Sequence, residues 1–448
     1  MRVVGRPGLG LIVSLAALPA LAQNGENPAL PDTVSCPEAV AEIATCYAAK
    51  HESGAYLLAA MPKRWNGNLI VFAHGGPAVV PPTPTSSQGD LAKYSIGVKR
   101  GFAWIASSYR REGYGVQMAA EDTDNARKFF IERIAKPRRT ILHGASYGGL
   151  VGAKLLEKYA KNADGSTNYD GAFFNSGAVG GSILNYEFRA DLRAVYQYYC
   201  KNLPRPGEAQ YPIWLGMPAD SKMTLKDLGT RVDECTGVTK PANARSEPQK
   251  QNLANIIGVM RIPERMLLRH MQAATFTFRD VAERVTHGES AFSNRSVSYK
   301  GSSDDAALNR GVVRFEANPA AAAALKADGE PTGALTVPVV SIHSMNDPQA
   351  AVEAQHAYRE QVKAAGNGDR LVQAFTDENE HTAQSATEIA GALEALMQWI
   401  EMDFKPEPNA IAEMCTQMSA AFDGPCRYHP EFEPKPFSTR FARGAAVQ

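Results

Sequence analysis

What this chain of 448 residues lacks narrows its reading before any motif is considered. It has no net charge: 47 Lys and Arg balance 47 Asp and Glu, so no overall field draws nucleic acid or an anionic membrane. The basic cluster Lys136-Pro-Arg-Arg139 is short and is expected to be a solvated helix-to-strand loop. Beyond the N-terminus no apolar run is long enough to cross a bilayer. There is no C-x-x-C pair, which removes the usual spacing of zinc and thiol-redox sites; no metal and no organic cofactor are expected. Neither an internal repeat nor a long low-complexity tract is present, so the chain reads as neither a solenoid nor a disordered polymer.

What is there is an ordinary globular composition, 44% apolar and 21% charged. The length suits one large domain with insertions, or two to three domains. Arg2 and Arg6 precede an apolar stretch from Gly8 to Leu21, and Ala20-Leu21-Ala22 is an A-x-A cleavage pattern. Residues 1–22 therefore read as a secretory leader whose removal leaves the mature chain slightly negative. Six cysteines remain: Cys36, Cys46, Cys200, Cys235, Cys415 and Cys426. An even count in an exported, secreted or periplasmic chain favours disulfides. Sequence does not choose among the pairings; union of neighbours (36–46, 200–235, 415–426) is the expectation.

Residues 23–50 read as a polar entry with one short helix. Short continuous apolar runs at 67–73, 102–106, 140–143, 171–174, 337–343 and 370–375 are expected as buried strands. Helical spacing appears at 122–135, 150–160 and 383–402. Strands alternating with helices predict an α/β fold with a mostly parallel sheet flanked by helices. The alternation stops over 182–333, which is richer in helix-like segments and charge. Within it Phe188, Leu192, Val195, Tyr196 and Tyr199 recur at helical spacing and are expected to pack on the main domain. The division expected is 1–22 leader, 23–181 first half of the core, 182–333 a mainly helical cap, 334–404 second half, and 405–448 a Pro-rich tail with two cysteines.

The segment Gly144-Ala-Ser146-Tyr-Gly148 sits between a strand-like and a helix-like run. A serine on a sharp strand-to-helix turn is held out where a carbonyl carbon can reach it. Its hydroxyl needs a base, and the base needs an acid to orient it. Asp347 lies just past the run 337–343 and His381 just past 370–375, each where a parallel sheet places its site. Glu378 and Glu380 are rival acids, and His343 and His356 rival bases; His143 is expected to pack beneath the turn. An oxyanion needs fixed N–H donors. The Tyr147 N–H supplies one, and His74-Gly-Gly-Pro77 offers a second, Gly76 before Gly75.

On these motifs the chain resembles the α/β-hydrolase superfamily over residues 54–180 and 335–403. His74-Gly-Gly-Pro77 with Gly144-Ala-Ser-Tyr-Gly-Gly149 is similar to the prolyl-oligopeptidase and acylaminoacyl-peptidase clan, but the chain has no room for that clan's propeller. Pro62-Lys-Arg-Trp65-Asn-Gly67 resembles the lead-in of exported tannase and feruloyl-esterase enzymes. Ala145 and Glu380 stand where tannases carry cysteines, a departure from that family. The resemblance implies an exported serine hydrolase acting on a small-molecule or oligomeric ester, with a peptidase as the alternative. An aminopeptidase would need a carboxylate from the cap, for which Asp191, Glu187, Asp304 and Asp305 are available. A non-catalytic binding protein is the remaining class, though no triad member is missing.

Overall fold

The computed structural model describes residues 1–3, 5, 30–440 and 442–443. Apart from 1–3 and 5, the expected leader lies outside the described residues. Nine strands form one sheet: β1 (Asp32–Val34), β2 (Ala44–Lys50), β3 (Tyr56–Pro62), β4 (Asn68–Ala73), β5 (Ala103–Ser107), β6 (Arg139–Ala145), β7 (Gly171–Asn175), β8 (Val339–Ser344) and β9 (Leu371–Thr376). Their order is β1-β2-β3-β5-β4-β6-β7-β8-β9. The strands β1, β2, β3 and β5 pair antiparallel, and everything from β5 through β4 to β9 is parallel.

Every residue of β4, β5, β7 and β8 is buried, as strands covered on both faces require. Successive residues point to opposite faces. Leu69 and Val71 join one core with helices α1 (Val116–Arg133) and α2 (Tyr147–Tyr159). Ile70 and Phe72 join the opposite core.

Between β7 and β8 the chain leaves the sheet for a mainly helical insertion. It holds α3 (Ser182–Cys200), α4 (Leu225–Thr236), α5 (Glu247–Met260), α6 (Leu267–Gln272), α7 (Phe278–Arg284), α8 (Asp305–Gly311) and α9 (Pro319–Gly329). After β8 come α10 (Glu353–Ala364), α11 (Ala386–Met402) and α12 (Pro408–Met418); α11 lies over the second core. Cysteines join as sequence neighbours, 36–46, 200–235 and 415–426. No helix among the described residues is long and apolar enough to cross a membrane.

Four expectations need correction. The entry segment contains strand β2 as well as the short helix Glu38–Ala41, because Ala44–Lys50 finds β3 to pair with. Helix α1 begins at Val116, ahead of its apolar periodicity. Its first N–H groups are capped by Asp328, whose carboxylate accepts from Val116 and Gln117 at 2.9 and 3.3 Å. The aromatic stripe of α3 packs largely inside the insertion: the Phe188 ring meets His270, and the Tyr196 hydroxyl donates to Asn202 Oδ1 at 2.9 Å. The tail forms α12, pressed so closely on α11 that a Cβ on Gly391 would stand 2.6 Å from Cys415 Cα. Its end, Ala442–Arg443, pairs with Val297–Ser298 of the insertion.

Candidate active site

Ser146 sits between β6 and α2 at φ 57° and ψ −122°, a conformation rare for a residue with a side chain. The flanking glycines follow from crowding. A Cβ on Gly144 would strike the Gly148 carbonyl, and one on Gly148 would strike that of Ala73. A Cβ on Gly149 would meet Gly177 Cα at 2.5 Å. The Ser146 N–H donates to the Asn175 carbonyl at 3.0 Å, tying the turn to β7.

The structure brings Ser146, His381 and Asp347 together. His381 Nε2 is 2.8 Å from Ser146 Oγ, and its Nδ1 is 2.7 Å from Asp347 Oδ2. Asp347 is buried, and its Oδ1 accepts the Gln349 and Ala350 N–H groups at 2.9 and 2.8 Å. Burial pushes its pKa up, but the His381 and His343 imidazoles and the Ala350 N–H outweigh it and hold the carboxyl below the usual range. In that arrangement Nδ1–H donates to Asp347, leaving Nε2 to accept from the serine hydroxyl.

The rivals lie elsewhere or do other work. Glu378 is buried against Arg427, 2.6 Å away, and burial together with Glu388 lifts its pKa to about 7. Glu380 is exposed and pairs with Arg265 at 2.7 Å. His343 is buried behind Asp347 at 3.6 Å, its Nε2–H donating to the Ala350 carbonyl and its Nδ1 accepting from Gln355. His356 lies on α10 and is not in the cavity wall that holds Ser146. His143 is enclosed by the rings of Phe72, Tyr94 and Phe173, and burial pulls its pKa to about 3.

Gly76 and Tyr147 line the same cavity as Ser146; Gly75 does not. As the first residue of α2, Tyr147 has an N–H with no intrahelical acceptor. Gly76 adopts φ 148°, where a Cβ would come 2.8 Å from the Ala78 nitrogen, and its N–H has no acceptor among the described residues. The loop is held by His74 Nδ1, 2.5 Å from Asp90, and by the Tyr109 hydroxyl donating to the His74 carbonyl at 2.7 Å.

Several contributors escaped sequence reading. A buried chain runs from Tyr94 to Asn175 (3.1 Å), Gln384 (2.7 Å), Ser344 (2.9 Å) and the Glu380 carbonyl (3.2 Å), fixing the loop that carries His381. The insertion adds Tyr186, Arg189, Arg269 and His270 to the cavity wall. No motif marks these residues; a glutamine shortly after His381 was the only available signal. The four cap carboxylates are not in this wall. Asp191 is buried and accepts from the Tyr299 hydroxyl at 2.7 Å, Glu187 accepts from the Ser293 N–H, Asp304 caps α8, and Asp305 holds the 301–302 turn. Among the described residues no three or more His, Cys, Asp or Glu side chains group as a metal site.

No protein-family model matches the sequence, and no curated protein matches it. Solved structures do match. An esterase from Aspergillus oryzae is 16% identical, with 86% of each chain covered and a TM-score of 0.40. Candida antarctica lipase A is 13% identical over 86% of this chain and 84% of its own, at a TM-score of 0.44. A puromycin-hydrolyzing peptidase from Mycobacterium tuberculosis is 12% identical over 82% of this chain and 40% of its own, at 0.41. The strand order and the strand–Ser146–helix turn are the chain's own features, and by them it has the α/β-hydrolase fold.

Proposed function

We propose that this protein is an exported serine hydrolase that cleaves carboxylic esters. The observation that carries the reading is the hydrogen-bonded line Ser146–His381–Asp347, with both histidine contacts under 3 Å. Ser146 Oγ attacks the acyl carbon while His381 Nε2 takes its proton. The Tyr147 and Gly76 N–H groups receive the oxyanion. The imidazolium, steadied by Asp347, then protonates the departing alcohol and leaves an acyl-enzyme. Water loses a proton to His381, attacks the acyl carbon, and frees acid and serine.

Residues 23–181 and 334–404 would be the catalytic core and 182–333 a cap that sets substrate choice. Export is supported by the leader pattern and three disulfides. The ester reading is favoured over an aminopeptidase because none of the cap's expected carboxylates lines the cavity beside Ser146. Fluorophosphonate labelling of wild type and Ser146→Ala, with 4-nitrophenyl esters set against aminoacyl 4-nitroanilides, tests both points. Equal labelling of the two proteins overturns the serine assignment; strong anilide turnover with weak ester turnover overturns the bond assignment.

A further inference from the structure

Among the described residues, the cavity wall beside Ser146 contains two guanidinium groups, Arg189 from α3 and Arg269 from α6, and no acidic residue. Many arginines elsewhere in the insertion have carboxylates, among them Arg231 with Glu208 at 2.7 Å, Arg245 with Glu264 and Arg284 with Asp280, whereas Arg314 is held by the Asn294 and Val297 carbonyls away from this wall. Arg189 and Arg269 have none among the described residues. Arg193, one turn on, is likewise without a carboxylate, but it is sealed in the core on the Leu203 and Gly216 carbonyls and is not in this wall.

Arg189 is held in place without being neutralised. It donates to the Asn185 and Gln349 carbonyls and lies 5.7 Å from the Tyr186 ring centroid, while its Nε–H is buried with no acceptor. Burial, and the neighbouring Arg269 charge, lower its pKa from the usual guanidinium value. His270 beside it adds no charge, since burial and Arg189 pull its pKa to about 3. A partly buried cation without a counter-ion is costly. A guanidinium presents parallel donors that fit a carboxylate.

We propose that the substrate carries a carboxylate that docks against Arg189 and Arg269, so that the enzyme takes esters bearing a free acid in preference to neutral ones. This rests on the serine-hydrolase reading above. Arg189 also borders a second cavity and shares that partition with Asn185, His270 and Gln349. The charged end of the substrate is thereby held at the cap side of the scissile bond.

The test compares kcat/KM for matched pairs: mono-4-nitrophenyl glutarate with 4-nitrophenyl pentanoate for an acyl-side carboxylate, and 4-acetoxybenzoate with 4-acetoxybenzamide for an alcohol-side one. In one pair the charged ester is expected to win by about ten-fold or more. That ratio should fall by about ten-fold in Arg189→Gln, and also fall in Arg269→Gln, an exposed position that does not threaten folding. Arg138→Gln, on an exposed loop arginine, should keep it. No charged preference in either pair, or a preference that survives both variants, overturns the proposal. Calorimetry of glutarate and 4-hydroxybenzoate with Ser146→Ala reads the anion site without turnover. Binding lost on adding Arg189→Gln supports it, and no binding of either acid counts against it. Absent fluorophosphonate labelling together with retained, Arg189-dependent binding would mean that the hydrolase reading failed, and not the anion site.

Discussion

His381 Nε2 lies 2.8 Å from Ser146 Oγ although 235 residues separate the two. The distance is set from both sides. Ser146 is fixed by its strained turn, and His381 by Asp347 and by the buried chain ending at the Glu380 carbonyl.

Asp347→Asn should leave the fold intact, because the amide oxygen can still accept the Gln349 and Ala350 N–H groups. It should lower kcat on a 4-nitrophenyl ester by roughly 10³–10⁴, since the wrong histidine tautomer then faces the serine. Steady-state kinetics beside a thermal melt reads this, and a fall of less than about ten-fold would remove Asp347 from its role.

Gly148→Ala should destabilise the protein by about 3 kcal/mol or more, because the new methyl collides with the rigid Ala73 carbonyl under the serine turn. Soluble yield and Tm report it. An unaltered Tm would show that the turn can relax, contrary to the crowding argument.

Glu330 couples stability to pH. It sits at the N-terminus of α3, where the Ile183 N–H donates to it at 3.3 Å, and burial raises its pKa to about 7 from 4.5. Between those values the folded protein keeps a proton that the unfolded chain releases. The group's contribution is therefore complete below about pH 4.5 and is lost as pH rises through 7, on the order of 1–3 kcal/mol. Glu330→Gln should match wild type in Tm at pH 4.5 and exceed it at pH 8. The same Tm difference at both pH values would contradict a retained proton.

The Cys200–Cys235 bond closes a loop of sequence separation 35 within the insertion. Replacing both cysteines by serine should cost about 4 kcal/mol on a chain-entropy account. Chemical denaturation under oxidising conditions measures it; a loss below about 1 kcal/mol would place little of the insertion's order on this bond.

The buried parallel strands were legible because β4, β5 and β7 are continuous apolar runs, a signal local to each segment. Ser146, Asp347 and His381 stood out together because each follows such a strand. Strand β2 was not legible, since half-exposed Ala44–Lys50 is a strand only once β3 lies beside it. Nor was the start of α1, whose cap Asp328 lies 212 residues away. Arg189 and Gln384 carry no local signature; Gln384 meets Asn175 across 209 residues.

The sequence by itself determined the parallel strands, the serine turn and the residue types available at the strand ends, because hydrophobic periodicity and the glycine-flanked serine pattern are written in a few neighbouring residues. Only the tertiary structure decided which carboxylate faces His381, which helix wall of the insertion lies beside Ser146, and that two arginines there lack counter-ions among the described residues. Those outcomes depend on side chains brought within 3–4 Å from distant parts of the chain, where hydrogen bonding and desolvation act at short range.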